Sequence, residues 1–243
     1  MGMNWGMSWS DWNWADLPAF LWMLFLWFAY GRFADKLPPD DVAPANLNQM
    51  MHQLRRLWMR RMLDRPERIL DSSLTGHQVS STTFFASTSM LIIAGLLGVL
   101  GKAAAANAVI QSLGFAVVSS ELLFELKILG LIGLFMVGFY KFTWALRQFN
   151  FACTLIGAAP LPPVDAKRRE KFADHAARVM SLAVVSFNGG IRSYYFAMAW
   201  LCWFIHPLAF AVGTSAVVLV LWKRQVKSRS QASVAEFYDA TER

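Results

Sequence analysis

The stretch FNGGIRSYYFAMAWLCWFIHPLAF, Phe187–Phe210, decides how this chain is read. It is almost entirely apolar, yet Arg192 sits near its start and the pair His206-Pro207 lies past its middle. The 30 residues from Ser193 to Trp222 would form one helix ~45 Å long. That exceeds one bilayer core of ~30 Å and falls short of two relaxed spans. A tight turn at His206-Pro207 resolves the mismatch. The run then becomes two spans, near 180–205 and 207–222, the first borrowing residues from before Arg192, back to about Met180. An interruption is expected within it at Asn188-Gly189-Gly190.

The rest of the chain has the same character. It has 243 residues, 56% hydrophobic and only 16% charged, against roughly 25% charged in soluble domains. Mean hydropathy is +0.37. Further apolar blocks lie near 17–34, 81–101 and 126–146. The chain therefore reads as an all-α polytopic membrane bundle with five transmembrane helices, four being the alternative. Residues 17–227 make up the helical membrane domain. Residues 1–16 form a tail whose Trp5, Trp9, Trp12 and Trp14 suit the headgroup belt. That tail has no basic residue before the first apolar run, unlike a signal peptide. Residues 228–243 are polar and read as a loosely ordered tail.

Two basic amphipathic helices are expected outside the spans. In NLNQMMHQLRRLWMRRML the apolar residues Leu47, Met50, Met51, Leu54, Leu57, Trp58 and Met62 share one helical face. Arg55, Arg56, Arg60 and Arg61 lie on the other, Asn46 is the expected N-cap, and Pro66 ends the element. The second helix opens with Lys167, Arg168 and Arg169. All seven basic residues are expected to face anionic lipid headgroups at the membrane interface. For the first helix, packing on neighbouring helices is the alternative.

Charge sets the topology. Of 23 Lys and Arg, eight lie between the first two spans, seven between the third and fourth, five after Trp222 and none in the N-terminal tail. The positive-inside rule then puts the N-terminus outside and the C-terminus in the cytoplasm, in a bacterial inner (plasma) membrane. A pI near 9.7 would suggest nucleic acid in a soluble protein. Here the charge flanks apolar blocks, so lipid is the expected partner and nucleic acid is not.

Arg192 and His206 are the candidate functional polar residues. An ionisable group within a span is a functional hypothesis in itself. Arg192 either finds a carboxylate, freed backbone at Gly189-Gly190 or a lipid phosphate, or it snorkels to the cytoplasmic border. His206 either binds a proton or ligand, or caps a turn. The Ser/Thr-rich start of the second span, Ser80–Ser89, either lines a polar path or bonds its own backbone and neighbouring helices. His52, His77 and His175 show no ligand spacing, and Cys153 and Cys202 form no framework, so no metal and no cofactor are expected. No catalytic signature occurs, and no half of the chain repeats the other.

FFASTSMLIIAGLL, SFNGGIRSYYFAMAWLCWFIHP and NQMMHQLRRLWMRRML together resemble an uncharacterised integral-membrane family of bacteria and plants, the domain-of-unknown-function family five-nine-nine. The resemblance runs from about Phe20 to about Arg224 and implies a membrane protein. It implies no activity and gives Arg192, Tyr194, Tyr195, Trp203, His206 and Pro207 a shared frame without a role. The expectation is a non-enzymatic scaffold or accessory subunit that binds anionic lipid, a membrane partner or a second copy. The alternative is a small transporter or channel with a polar path near Arg192.

Overall fold

The computed structural model describes residues 14–36, 46–112, 120–161 and 165–242. Trp5, Trp9, Trp12 and most of the Pro- and Asp-rich linker after the first span lie outside the described residues. Among the described residues the structure is helical and contains no strand. In chain order the helices are α1 (Asp16–Ala34), α2 (Leu47–Met62), α3 (Ile69–Leu100), α4 (Ala103–Gln111), α5 (Glu121–Gly157), α6 (Ala166–Leu201), α7 (Pro207–Val226) and α8 (Arg229–Glu242). A single 3-10 turn, Cys202–Phe204, separates α6 from α7.

Local chemistry sets the helix starts. Asn46 caps α2 by accepting the Gln49 N–H at 3.0 Å, and Ser120 caps α5 by accepting the Leu123 N–H at 3.2 Å. At the expected turn, His206 is extended and its Nδ1 accepts the Leu208 N–H at 3.0 Å. Pro207 follows at the first position of α7, where a missing N–H costs nothing. The turn at His206-Pro207 is therefore a helix cap.

Four described helices are long and apolar enough to cross a membrane: α1, α3, α5 and the one that starts at Pro207. The expected span near 180–205 falls within α6, which is not among them, because its first half is basic and Arg192 follows. Even so, α6 runs antiparallel along α5. Trp203 lies by Lys127, Trp200 by Gly130, Ser193 by Gly138, Gly190 by Phe142 and Ser186 by Gln148. The second half of α6 thus sits at the depth of the apolar half of α5.

The structure corrects the expected break at Asn188-Gly189-Gly190: α6 is continuous through it. The glycines serve close approach. A Cβ on Gly190 would stand 2.5 Å from the Phe142 ring, and one on Gly130 would overlap the Trp200 ring. Each helix thus sends an aromatic ring against a glycine of the other. The tail after Ser228 is also corrected, since α8 is helical.

The long helices exceed the thickness of a bilayer core. α3 has 32 residues, α5 has 37 and α6 has 36, or ~48, ~55 and ~54 Å against a ~30 Å core. α5 packs between α3 and α6, α2 lies on α6, and α7 joins α1 to α6. Two main cores result. One, with Met23, Phe135, Phe196, Trp200, Trp203 and Phe210, fills the apolar half. The other, with Met59, Met62, Phe149, Ala173, Ala177 and Met180, joins α2 to the far halves of α5 and α6.

Candidate functional site

Arg192 is 7% exposed. Its two terminal nitrogens donate to Asp35 at the end of α1, at 3.1 Å to Oδ1 and 2.7 Å to Oδ2. This two-pronged geometry suits a planar guanidinium, and the Tyr30 ring lies 5.9 Å from its central carbon. Gly31 lies beside the guanidinium, where a Cβ would be in ordinary contact, 3.7 Å from an Arg192 nitrogen. The remaining Nε is buried and has no acceptor among the described residues. Arg192 therefore took the carboxylate among its sequence options and does not snorkel.

Around this pair the end of α1, the start of α2 and the end of α7 meet the middle of α6. Asn188 donates to Asn48 at 3.4 Å, and Asn48 donates to the Ala34 carbonyl at 3.2 Å, which ties α6 and α2 to α1. Arg224 of α7 donates to the Tyr195 hydroxyl at 2.9 Å. Gln225 Nε2 is buried and has no acceptor among the described residues. Together these residues line a niche of about 250 Å³. On the lipid-facing side of α1 and α7 runs an apolar groove of about 420 Å³, and Tyr30 lines both.

A second charged cluster closes the opposite end. Lys127 is 3% exposed, donates to the Trp203 carbonyl at 3.1 Å and lies 5.4 Å from the Trp203 ring. Trp203 Nε1 donates to Asp16 at 2.6 Å, and Trp200 Nε1 to the Lys127 carbonyl at 2.8 Å. Each buried charge there has an assigned structural partner. Rings fill the space between the two ends: Trp27 against Phe196, Phe135 against Tyr194 and Phe142 against Phe85, with centroids 4.9, 5.1 and 5.5 Å apart.

The Ser/Thr-rich part of α3 turns inward on its own backbone. Thr82, Thr83, Thr88 and Ser89 each donate to the carbonyl four residues earlier. Ser89 also meets the Tyr194 hydroxyl at 3.1 Å.

The seven basic residues of the amphipathic helices divide. Arg55 bonds the buried Ser181 hydroxyl at 3.2 Å, Arg56 pairs with Asp174 at 2.7 Å, and Arg60 pairs with Glu170 at 3.0 Å. Burial pushes Arg55 down to about 10, so it stays charged at neutral pH. Arg169 pairs with Asp64, and that hydrogen bond holds the Asp64 carboxyl below its ordinary range. Arg61, Lys167 and Arg168 are exposed. Thus α2 and α6 are clasped by ion pairs, and three cations point to the surroundings. His52 is buried with Nδ1 2.8 Å from Ser181 Oγ, while His77 and His175 are exposed elsewhere. Among the described residues no three His, Cys, Asp or Glu side chains are grouped to hold a metal.

Sequence reasoning singled out Arg192 but missed Asp35, Tyr30, Asn48, Arg224 and Gln225. A usable signal existed. The charge count put the end of the first span and Arg192 at the same membrane border, so Asp35 was the nearest carboxylate by depth. Comparison with known proteins agrees on kinship. Residues 18–230 match the family described as "Protein of unknown function, DUF599". The chain belongs to the DUF599 family. No curated protein and no solved structure matches it. The match covers α1 to α7, so every residue of the Arg192 niche lies inside the DUF599 region.

Proposed function

We propose that this DUF599 protein is a non-enzymatic accessory subunit or scaffold of a bacterial inner membrane. It crosses five times, with the N-terminus outside and the C-terminus in the cytoplasm. The depth match of α6 with α5 supports the fifth crossing, and the charge distribution supports the orientation. A helical bundle suits the inner membrane, because outer-membrane spans are closed barrels.

The outer face of α3 carries the reading. Added Cβ atoms at Gly76, Gly95 and Gly98 would meet nothing within 4 Å. Ser73, Ser80, Ser87 and Ala94 on the same face are exposed. These small residues, with the exposed Phe84 and Leu91 among them, are spread over ~38 Å of the helix. Small residues gain little from acyl chains but let a second helix approach closely. The transporter alternative has less support: Thr82, Thr83, Thr88 and Ser89 of α3 are used by their own carbonyls, and rings fill the middle of the bundle.

The test is extraction in a gentle detergent followed by mass measurement of the intact complex. A second polypeptide, a copy or a different chain, is expected, and Gly98→Leu should release it while leaving the helical content unchanged. A single chain in the wild type, or a complex indifferent to Gly98→Leu, would overturn the proposal.

A further inference from the structure

The niche behind Asp35 holds unsatisfied hydrogen-bond donors. Arg192 offers its buried Nε and Gln225 its buried Nε2, neither with an acceptor among the described residues. Arg224 is exposed and spends one nitrogen on Tyr195, leaving the rest of its guanidinium toward the niche mouth. Asp35 is the acidic side chain on the wall, against two arginines, and both its oxygens are taken by Arg192. An acceptor-rich anion is what such a set recognises, and a phosphate group suits guanidinium.

The neighbouring groove gives that anion a body. It lies between α1 and α7, walled by Trp22, Leu26, Phe33, Val218 and Trp222, with the small Ala29 in its floor. From Trp22 to Phe33 it runs ~16 Å along α1. That is about one leaflet, half of the ~30 Å hydrocarbon core. At the groove's charged end Lys227 lies 5.6 Å from the Trp222 ring. An apolar channel one leaflet long, ending beside the exposed Arg224 and the unsatisfied N–H groups of Arg192 and Gln225, matches one molecule with one polar end.

We infer that an anionic phospholipid of the cytoplasmic leaflet binds here, with an acyl chain in the α1–α7 groove and its phosphate beside Arg192, Arg224 and Gln225. Basic niches between helices on the cytoplasmic side are suited to such headgroups. The leaflet assignment rests on the topology proposed above. The binding itself does not rest on the α3 interface, so the two fail separately.

The test is native mass spectrometry of the full chain in mild detergent, titrated with phosphatidylglycerol, phosphatidylcholine of equal chain length, or inorganic phosphate. Phosphatidylglycerol should bind about tenfold more tightly than phosphatidylcholine. Arg224→Ala should erase that preference, and Arg224→Lys should keep part of it. Ala29→Phe, which fills the groove from an exposed position, should weaken both lipids together. Circular dichroism on each variant establishes that it has folded. Equal binding of the two lipids by the wild type would overturn the inference. So would a preference untouched by Arg224→Ala, lipid binding untouched by Ala29→Phe, or displacement of phosphatidylglycerol by inorganic phosphate at similar concentration, which would make free phosphate the ligand. Because bound lipid is weighed on each chain separately, loss of the α3 partner leaves this readout intact.

Discussion

Arg192 sits in a nearly dry place, where Asp35 takes two of its N–H groups. Such a pair adds little net stability over a neutral one, since both charges lose water when they meet. Removing one partner is a different matter. Asp35→Asn strands the arginine charge and should cost about 2–4 kcal/mol, somewhat under the ~3–5 kcal/mol of a fully buried pair, because Asp35 is 31% exposed. Combining it with Arg192→Gln removes the stranded charge, so the double variant should be more stable than Asp35→Asn alone. Denaturant titration in detergent reads both; a double variant less stable than the single would refute the pairing. The sequence revealed Arg192 as a residue out of place but could not name its partner. Periodicity reports which face a residue occupies, and the contact with Asp35 crosses between elements far apart in the chain.

Among the elements, the glycines of the long helices fall into two kinds that look alike in sequence. Gly130 and Gly190 meet the rings of Trp200 and Phe142, whereas Gly95 and Gly98 face open space. Gly190→Ala should therefore destabilise the bundle by about 1–3 kcal/mol through overpacking, partly relieved by Phe142→Leu. Gly98→Ala should leave the isolated chain unchanged or raise its stability by up to ~1 kcal/mol, since alanine favours the helix. Thermal unfolding of the two variants separates the cases, and equal destabilisation by both would contradict the packing described. Reading Asn188-Gly189-Gly190 as a break followed from the same ambiguity: a glycine that ends a helix and one that lets a ring approach have the same letter. Helix existence was legible from apolar periodicity. Helix length was not, because the water-side turns of α3, α5 and α6 mix Ser, Gln, Arg and Ala with apolar residues and so resemble linker.

The whole molecule is a bundle whose charge is sorted by end, and that was the most legible feature of the sequence. Five crossings make a definite forecast. A cysteine at Ser233, in a background with Cys153 and Cys202 replaced by serine, should resist an impermeant maleimide on intact cells and react once the membrane is opened. One at Ser10 should react at once. Labelling of Ser233→Cys on intact cells would instead favour four crossings and place α8 outside. What the sequence could not display is how far α3, α5 and α6 continue past their apolar stretches, because the second core joins them to α2, which is clasped onto α6 by Arg56 and Arg60.

The bond between Arg192 and Asp35 joins residues 157 apart in the chain. During synthesis α1 therefore leaves the ribosome long before its partner exists. Until α6 arrives, the Asp35 carboxylate is best solvated at the water boundary, since an ionised group gains nothing from entering hydrocarbon unpaired. Nor can Arg192 settle beside α5 alone, because its charge needs Asp35. On the five-crossing topology proposed above, the two segments complete insertion together, so the depth at which the first-made helix rests is fixed by one of the last.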